Sequence, residues 1–237
     1  MVANEGKSNS NLLTDFIQLF FPRYCLGCEE PMVRGEEILC SHCLANLPKM
    51  DGWLEESNPV RLKFAGRLPV TYAFAFLKFR KSGLVQHLLH QLKYNHHPEI
   101  GVRLGMVYAT ELMHAGLNPC FDCIIPVPLH SSRKRTRGYN QSHEFARGLA
   151  TVWGTAVSET ISIRKSRTTT QTRKSRWQRW ENVREVFDLA TGVDLTNKHI
   201  LLVDDVITTG ATLEACGSKL IQAGCGKLSI ACIAASQ

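Results

Sequence analysis

The chain has no apolar run long enough to cross a membrane. Leu12–Phe21 alternates apolar and polar positions and falls far short of the roughly 20 residues that a spanning helix needs. No N-terminal segment joins basic residues, an apolar stretch and a small-residue cleavage site. These absences lead us to expect a cytoplasmic protein with no membrane span and with reduced thiols, so the nine cysteines are not a disulfide framework. Two phosphate-binding signatures are missing too: there is no G-x-x-x-x-G-K-[ST], and no G-x-G-x-x-G after a strand-like run. Acidic residues are outnumbered, 21 against 28 Lys and Arg, giving a net charge of +7 and a pI near 9.0. They are scarce between Arg164 and Arg184, where eight Lys or Arg meet the single acid Glu181.

This positive excess points toward anionic partners, either phosphorylated small molecules or nucleic acid. Hydrophobic content of 44% and charged content of 21% are ordinary for a globular protein. A length of 237 residues allows one sizeable domain plus a small one. Such a chain buries roughly 70% of its unfolded surface, enough for a core.

The most informative stretch is Ile200–Leu213. Ile200 to Val203 form a short continuous apolar run, the pattern of a parallel strand buried on both faces. Asp204 and Asp205 follow where such a strand would leave the sheet, then Thr208, Thr209, Gly210 and Thr212, and Leu213–Ala223 has helical character. Loop amides and Thr hydroxyls can donate to phosphate oxygens, and the positive end of the following helix favours an anion. Gly210 permits close backbone approach or a positive φ. The two carboxylates are placed to accept sugar hydroxyls or to hold a hydrated metal ion. The plainer alternative is a polar strand-to-helix turn with a solvated Asp pair. The stretch closely resembles the PRPP-binding motif of type I phosphoribosyltransferases, in which the acidic pair contacts the ribose 2′ and 3′ hydroxyls and the Thr/Gly loop wraps the 5′-phosphate. That resemblance implies a PRPP site over Asp204, Asp205, Val206, Ile207, Thr208, Thr209, Gly210, Ala211 and Thr212.

A second pattern lies near the N-terminus. Cys25-Leu-Gly-Cys28 and Cys40-Ser-His-Cys43 are two Cys-x-x-Cys knuckles separated by eleven residues. Four thiolates on a short hairpin suit structural zinc, and with all four positions filled by Cys no coordination site is left open for catalysis. Four buried thiols without metal is the competing reading, set against a segment too short to form a core alone. His42, inside the second knuckle, is a weaker ligand candidate than its flanking cysteines.

Elsewhere, Leu12–Phe20 suggests an apolar helical face and Asp51–Pro69, with its Gly and Pro residues, a linker. Val70–Phe79 alternates as a strand; Leu84–Leu92 and Gly101–Ala115 read as helices. His87, His90, His96 and His97 crowd together, but no carboxylate or Cys completes a metal motif. Cys120 and Cys123 read as core thiols. Strands alternating with helices imply a mostly parallel α/β sheet. Trp177 and Trp180, interleaved with the basic run, and Tyr139 are candidate stacking platforms for nucleic-acid bases.

Taken together, the chain resembles the ComF family, the amidophosphoribosyltransferase-like proteins linked to natural competence. The resemblance rests on the four-Cys module, Leu92-Lys93-Tyr94, Pro126-Val-Pro-Leu-His130, the block Arg137-Gly-Tyr-Asn-Gln141, and Thr168, Gln171, Arg179, Asn182 and Phe187. Lys174 departs from it, standing where the family usually has an apolar residue, and so does Glu29, where the family often has Gly. The resemblance implies a type I phosphoribosyltransferase fold over residues 70–237, a zinc module in 1–50 and a linker at 51–69. By analogy with that fold, His130, Arg133, Arg137 and Gly138 are pyrophosphate-loop candidates. Arg164, Arg167, Gln171, Arg173, Lys174, Arg176, Trp177 and Arg179 fall on a flexible loop that closes the site or meets DNA. Implied cofactors are structural zinc and Mg²⁺ with PRPP; implied partners are single-stranded DNA and proteins of the competence machinery. Three functions follow: handling of imported single-stranded DNA, phosphoribosyl transfer to an unidentified acceptor, and PRPP sensing without turnover.

Overall fold

The computed structural model describes residues 21–55, 57–117, 120–164 and 187–236. The chain forms two compact units, Met1–Leu47 and Pro48–Gln237. Among the described residues no helix is long and apolar enough to cross a membrane.

The described part of the first unit, residues 21–47, is built mostly from turns. Isolated bridges join Tyr24 to Pro31 and Glu37 to Leu39. Glu29, with φ of 63°, donates its N–H to Cys25 O at 2.9 Å and closes the first knuckle. A short helix, α1 (Ser41–Ala45), carries the second knuckle, and its N-cap is the side chain of Cys40. The expected helical face at Leu12–Phe20 lies outside the described residues.

The second unit holds a four-stranded sheet. Its strands are β1 (Ala73–Phe79), β2 (Cys123–Pro126), β5 (His199–Ile207) and β6 (Lys227–Ser236), in the order β1-β6-β5-β2. All three pairings are parallel. Ile200 to Val203 are fully buried, as an apolar run in a central strand should be. A separate antiparallel ribbon pairs β3 (Ser162–Arg164) with β4 (Phe187–Leu189), the two ends of the basic segment.

Helices α3 (Leu84–Tyr94), α4 (Glu99–His114) and α6 (Gln141–Trp153) pack with the sheet, α6 against β2 and β5. A Cβ on Gly148 would collide with Val102 O, and one on Gly105 with Phe145 O, so these glycines let the α4 and α6 backbones touch. Tyr108 of α4 stacks on Phe76 at 4.7 Å and meets Phe74 edge-on at 5.9 Å. A hydrophobic cluster around Ile200, Leu202 and Ile230 takes in Leu213 and Leu220 of α7 (Ala211–Gln222) and Phe187 of the ribbon.

Four sequence expectations change. The stretch 51–69 is more than a linker: it contains helix α2 (Pro59–Leu62), and Val60, Phe64 and Leu68 join the core. Its helix start was hidden among turn residues. Asn58 Oδ1 accepts from Val60 N at 2.9 Å, while its Nδ2 donates to Ala73 O at 2.6 Å. Next, β5 does not end before the acidic pair but continues through it to Ile207, because β6 still pairs with it there. The segment after Pro126–Pro128 is a short helix, α5 (Ser131–Arg137), rather than an open loop. Cys120 is exposed, with Sγ 3.4 Å from His199 Nδ1, and is not a core thiol, whereas half-buried Cys123 packs against the edge of the core cluster.

Candidate functional site

The sheet creates the site by ending unevenly. Pairing of β2 with β5 stops at Pro126 and Val203, and Val127 N gives the last bond, 2.8 Å to Val203 O. Beyond it, Asp204–Ile207 remain paired to β6 only. The side of β5 that β2 has left opens onto a cleft of about 620 Å³. Ligands in open α/β folds sit at such carboxyl-terminal strand ends.

The acidic pair lies on the wall of this cleft. Asp204 Oδ1 accepts from Ser142 Oγ at 3.0 Å and from Asp205 N at 2.8 Å. Burial, and then the neighbouring charge of Asp205, push the Asp204 carboxyl up from 3.8 to about 7. Asp205 instead holds a cation: Lys93 Nζ, at the end of α3, lies 2.7 Å from its Oδ2. Asn140 fixes the opposite wall. Its Nδ2 donates to Val127 O at 3.0 Å and its Oδ1 accepts from Ser142 N at 3.2 Å. One side chain thereby ties the exit of β2 to the start of α6 and sets Ser142 against Asp204. Gln141 is buried on the same wall, and its Nε2 has no hydrogen-bond partner among the described residues.

A smaller hollow of about 30 Å³ adjoins the carboxylates and is lined by the turn from Ile207 to Leu213. Gly210 caps α7 with φ of 79°, and a Cβ there would lie 3.1 Å from the Phe64 ring. Glycine therefore meets both a backbone and a packing requirement. Arg67, from the stretch expected to be a linker, braces the turn: Nη1 donates to Thr209 O at 3.2 Å and Nη2 to buried Glu214.

This geometry coincides with a match to known proteins. The family profile described as "Phosphoribosyl transferase domain" matches residues 101–237, more than half of the chain. The chain belongs to the phosphoribosyl transferase domain family. Among curated relatives, the DNA utilization protein YhgH of Salmonella typhi is 34% identical over 150 residues, 62% of this chain and 65% of that protein. Competence protein F of Haemophilus influenzae (strain ATCC 51907 / DSM 11121 / KW20 / Rd) is 34% identical over 110 residues, 46% of this chain and 48% of that one. The alignments therefore span less than two thirds of either relative. These relatives bear out the ComF resemblance. Among solved structures, the purine phosphoribosyltransferase from Pyrococcus horikoshii Ot3 is similar at 22% identity and a TM-score of 0.36, over 56% of this chain and 71% of that one. The expected phosphoribosyltransferase fold with an N-terminal four-cysteine module holds.

The phosphoribosyltransferase domain gathers some of the expected site residues and leaves others aside. Asp204, Asp205, Val206, Thr212, Arg133, Arg137 and Arg164 line the large cleft. Ile207, Thr208, Thr209, Gly210 and Ala211 line the small hollow, which shares Asp204, Val206 and Thr212. His130 and Gly138 line neither: His130 Nδ1 caps α5 by accepting from Ser132 N, and Gly138, with φ of 79°, ends the same helix. Arg167, Gln171, Arg173, Lys174, Arg176, Trp177 and Arg179 lie outside the described residues. Sequence reasoning assigned no site role to Lys93, Asn140, Gln141, Ser142 or Arg67. Lys93 stands in the Leu92-Lys93-Tyr94 element of the resemblance, which names no role for it, and Ser142 follows an ordinary N-cap with no local signal of its own.

In the N-terminal module, the ligand atoms of Cys25, Cys28, Cys40 and Cys43 all lie within 4.8 Å of one another. Cys28 and Cys40 Sγ are 3.7 Å apart, close to the roughly 3.8 Å edge of a tetrahedron with metal–sulfur bonds of about 2.3 Å. Burial acts to raise the Cys25 thiol, but N–H groups of Cys40, Cys28 and Gly27 hold it down at about 7, as a thiolate ligand requires. Burial and the neighbouring sulfurs push Cys43 up, which a cation at the centre would reverse. The donor set fits a structural metal. Exposed His42 stands outside the cluster.

Proposed function

We propose that the cleft binds PRPP with Mg²⁺ and that the protein acts in natural competence, on imported single-stranded DNA. The observation that carries the PRPP reading is the juxtaposition in one cleft of adjacent carboxylates, a Gly/Thr turn at a helix start, and cations. In this reading Asp204 and Asp205 accept the ribose hydroxyls, and the turn from Thr208 to Thr212 donates to the 5′-phosphate. Arg133 and Arg137 on the cleft wall face the pyrophosphate, and the unpartnered Gln141 amide supplies a further donor to the ligand. A buried donor without a partner costs about 1–3 kcal/mol, which a ligand oxygen would recover. Mg²⁺, when bound, supplies the positive charge that neutralises pyrophosphate. Cys25, Cys28, Cys40 and Cys43 hold zinc.

The DNA role rests on the net charge of +7 and on the names of the relatives, DNA utilization protein YhgH and competence protein F. Two assays test the proposal. Binding of single-stranded DNA should fall with salt, with a slope of about −0.7 per phosphate contact; salt-independent binding, or none, sinks the DNA reading. Pyrophosphate released from PRPP and Mg²⁺ in the presence of a panel of bases and amines reports turnover: release that depends on an acceptor identifies a transferase, whereas binding with no release identifies a sensor.

A further inference from the structure

The mouth of the cleft carries an aromatic and cationic ridge that shares Arg133 and Arg137 with the phosphoribosyl reading, while its rings, Tyr94 and His90, have no part in that reading. Tyr94, the last residue of α3, is 60% exposed. The Arg137 guanidinium lies over its ring, 5.1 Å from the centroid. The His90 ring lies 5.0 Å away, tilted by 45°. Beside them, α5 buries none of its residues and carries Arg133, Lys134, Arg135 and Arg137 with no acidic residue. Lys134 is partly neutralised, with Nζ 3.4 Å from Glu159. Of the three aromatics that the sequence suggested for this role, Trp177 and Trp180 lie outside the described residues, and Tyr139 is half-buried, its hydroxyl donating to Leu92 O at 2.5 Å. It clamps α3 to the segment after α5 and offers no free platform.

We infer that Tyr94, with His90 and Arg137, is the stacking platform on which single-stranded DNA crosses the mouth of the cleft. The inference rests on the DNA reading given above. Aromatic rings and guanidinium planes both stack on nucleobases. Only a single strand presents free base faces, and the basic side chains of α5 lie where its phosphates would run. The ridge complements a polyanion with flat apolar units, whereas a duplex would meet the cations alone.

Fluorescence anisotropy of the full chain with a labelled oligothymidine of about 20 nucleotides, over about 50 to 200 mM salt, tests the platform. Tyr94→Ala should weaken binding about tenfold or more, while Tyr94→Phe, which keeps the ring, should bind like the wild type. The salt slope should be the same in all three proteins, because the lost contact is not ionic. In a second measurement, photocrosslinking of a 5-iodouracil oligonucleotide to the wild type should label Tyr94 or His90. Wild-type affinity in Tyr94→Ala, or crosslinks confined to other regions, overturns the platform and leaves the DNA reading in place. A wild type that binds no oligonucleotide overturns both.

Discussion

Lys93 Nζ lies 2.7 Å from Asp205 Oδ2, so a cation from the end of a helix holds one half of the acidic pair. The other half, Asp204, has a neutral partner in the Ser142 hydroxyl. The adjacent carboxylates are thus treated unequally, and burial, with the charge of Asp205 beside it, pushes Asp204 up to about 7. Side-by-side carboxylates at a buried strand end cost folding free energy, and such costs concentrate where a site uses them.

Asp204 makes stability depend on pH. Its folded value of about 7 lies above the ordinary 3.8, so its contribution to folding is present at low pH and is lost as pH rises through about 7. Asp204→Asn keeps an oxygen for Ser142 and removes the charge. The variant should melt several degrees above the wild type near pH 8, at about 2–4 °C per kcal/mol for a chain of this size, and close to it near pH 4. Melting scans at both pH values check this; a lower melting point near pH 8 contradicts it.

Lys93 should act on the same titration, since its charge holds the Asp204 carboxyl down. Lys93→Met should move the midpoint above about 7. Carboxyl-carbon NMR titration of Asp204 reads this directly, and an unmoved midpoint would show that the pairing does not operate in solution.

Gly210→Ala should lose stability twice over. A non-glycine residue in the left-handed region costs about 1–2 kcal/mol, and the new Cβ would press on the Phe64 ring at 3.1 Å. Denaturant unfolding should show a lower midpoint with an unchanged slope. Affinity for PRPP should fall as well, because the turn that lines the hollow carries the strain.

Metal removal should act on the N-terminal module. Native mass spectrometry should find about one zinc per chain, and Cys43→Ser should lose it. A chelator should then open residues 21–47 to limited proteolysis, since a structural zinc supplies on the order of 10 kcal/mol of folding free energy. Zinc-free protein that resists cleavage there would overturn the assignment.

Residues whose chemistry is compressed into consecutive positions were legible in the sequence. Ile200–Thr212 announces a strand, a turn and a helix start within a few residues, and the four-cysteine spacing announces a cluster that could hold a metal. What stayed hidden is long-range. Lys93 meets Asp205 across more than a hundred residues, Arg67 reaches Glu214 from a stretch with the composition of a linker, and Ser142 finds Asp204 only because Asn140 sets the start of α6. Periodicity also placed the end of β5 too early. Two charged residues look like a strand terminus, yet pairing with β6 carries the strand on to Ile207. Tyr94 and Tyr139 are alike as letters, and only the structure separates exposed Tyr94 from half-buried Tyr139, whose hydroxyl is bonded to Leu92 O.

Calorimetric titration of PRPP with Mg²⁺ into the wild type and into the Asp204→Asn/Asp205→Asn double variant tests the central claim most directly. The account predicts saturable binding of about one ligand per chain by the wild type and none by the double variant, with both proteins folded. Equal binding by the two would show that the acidic pair is not the ligand site, and a wild type that binds nothing would show that the cleft serves some other ligand.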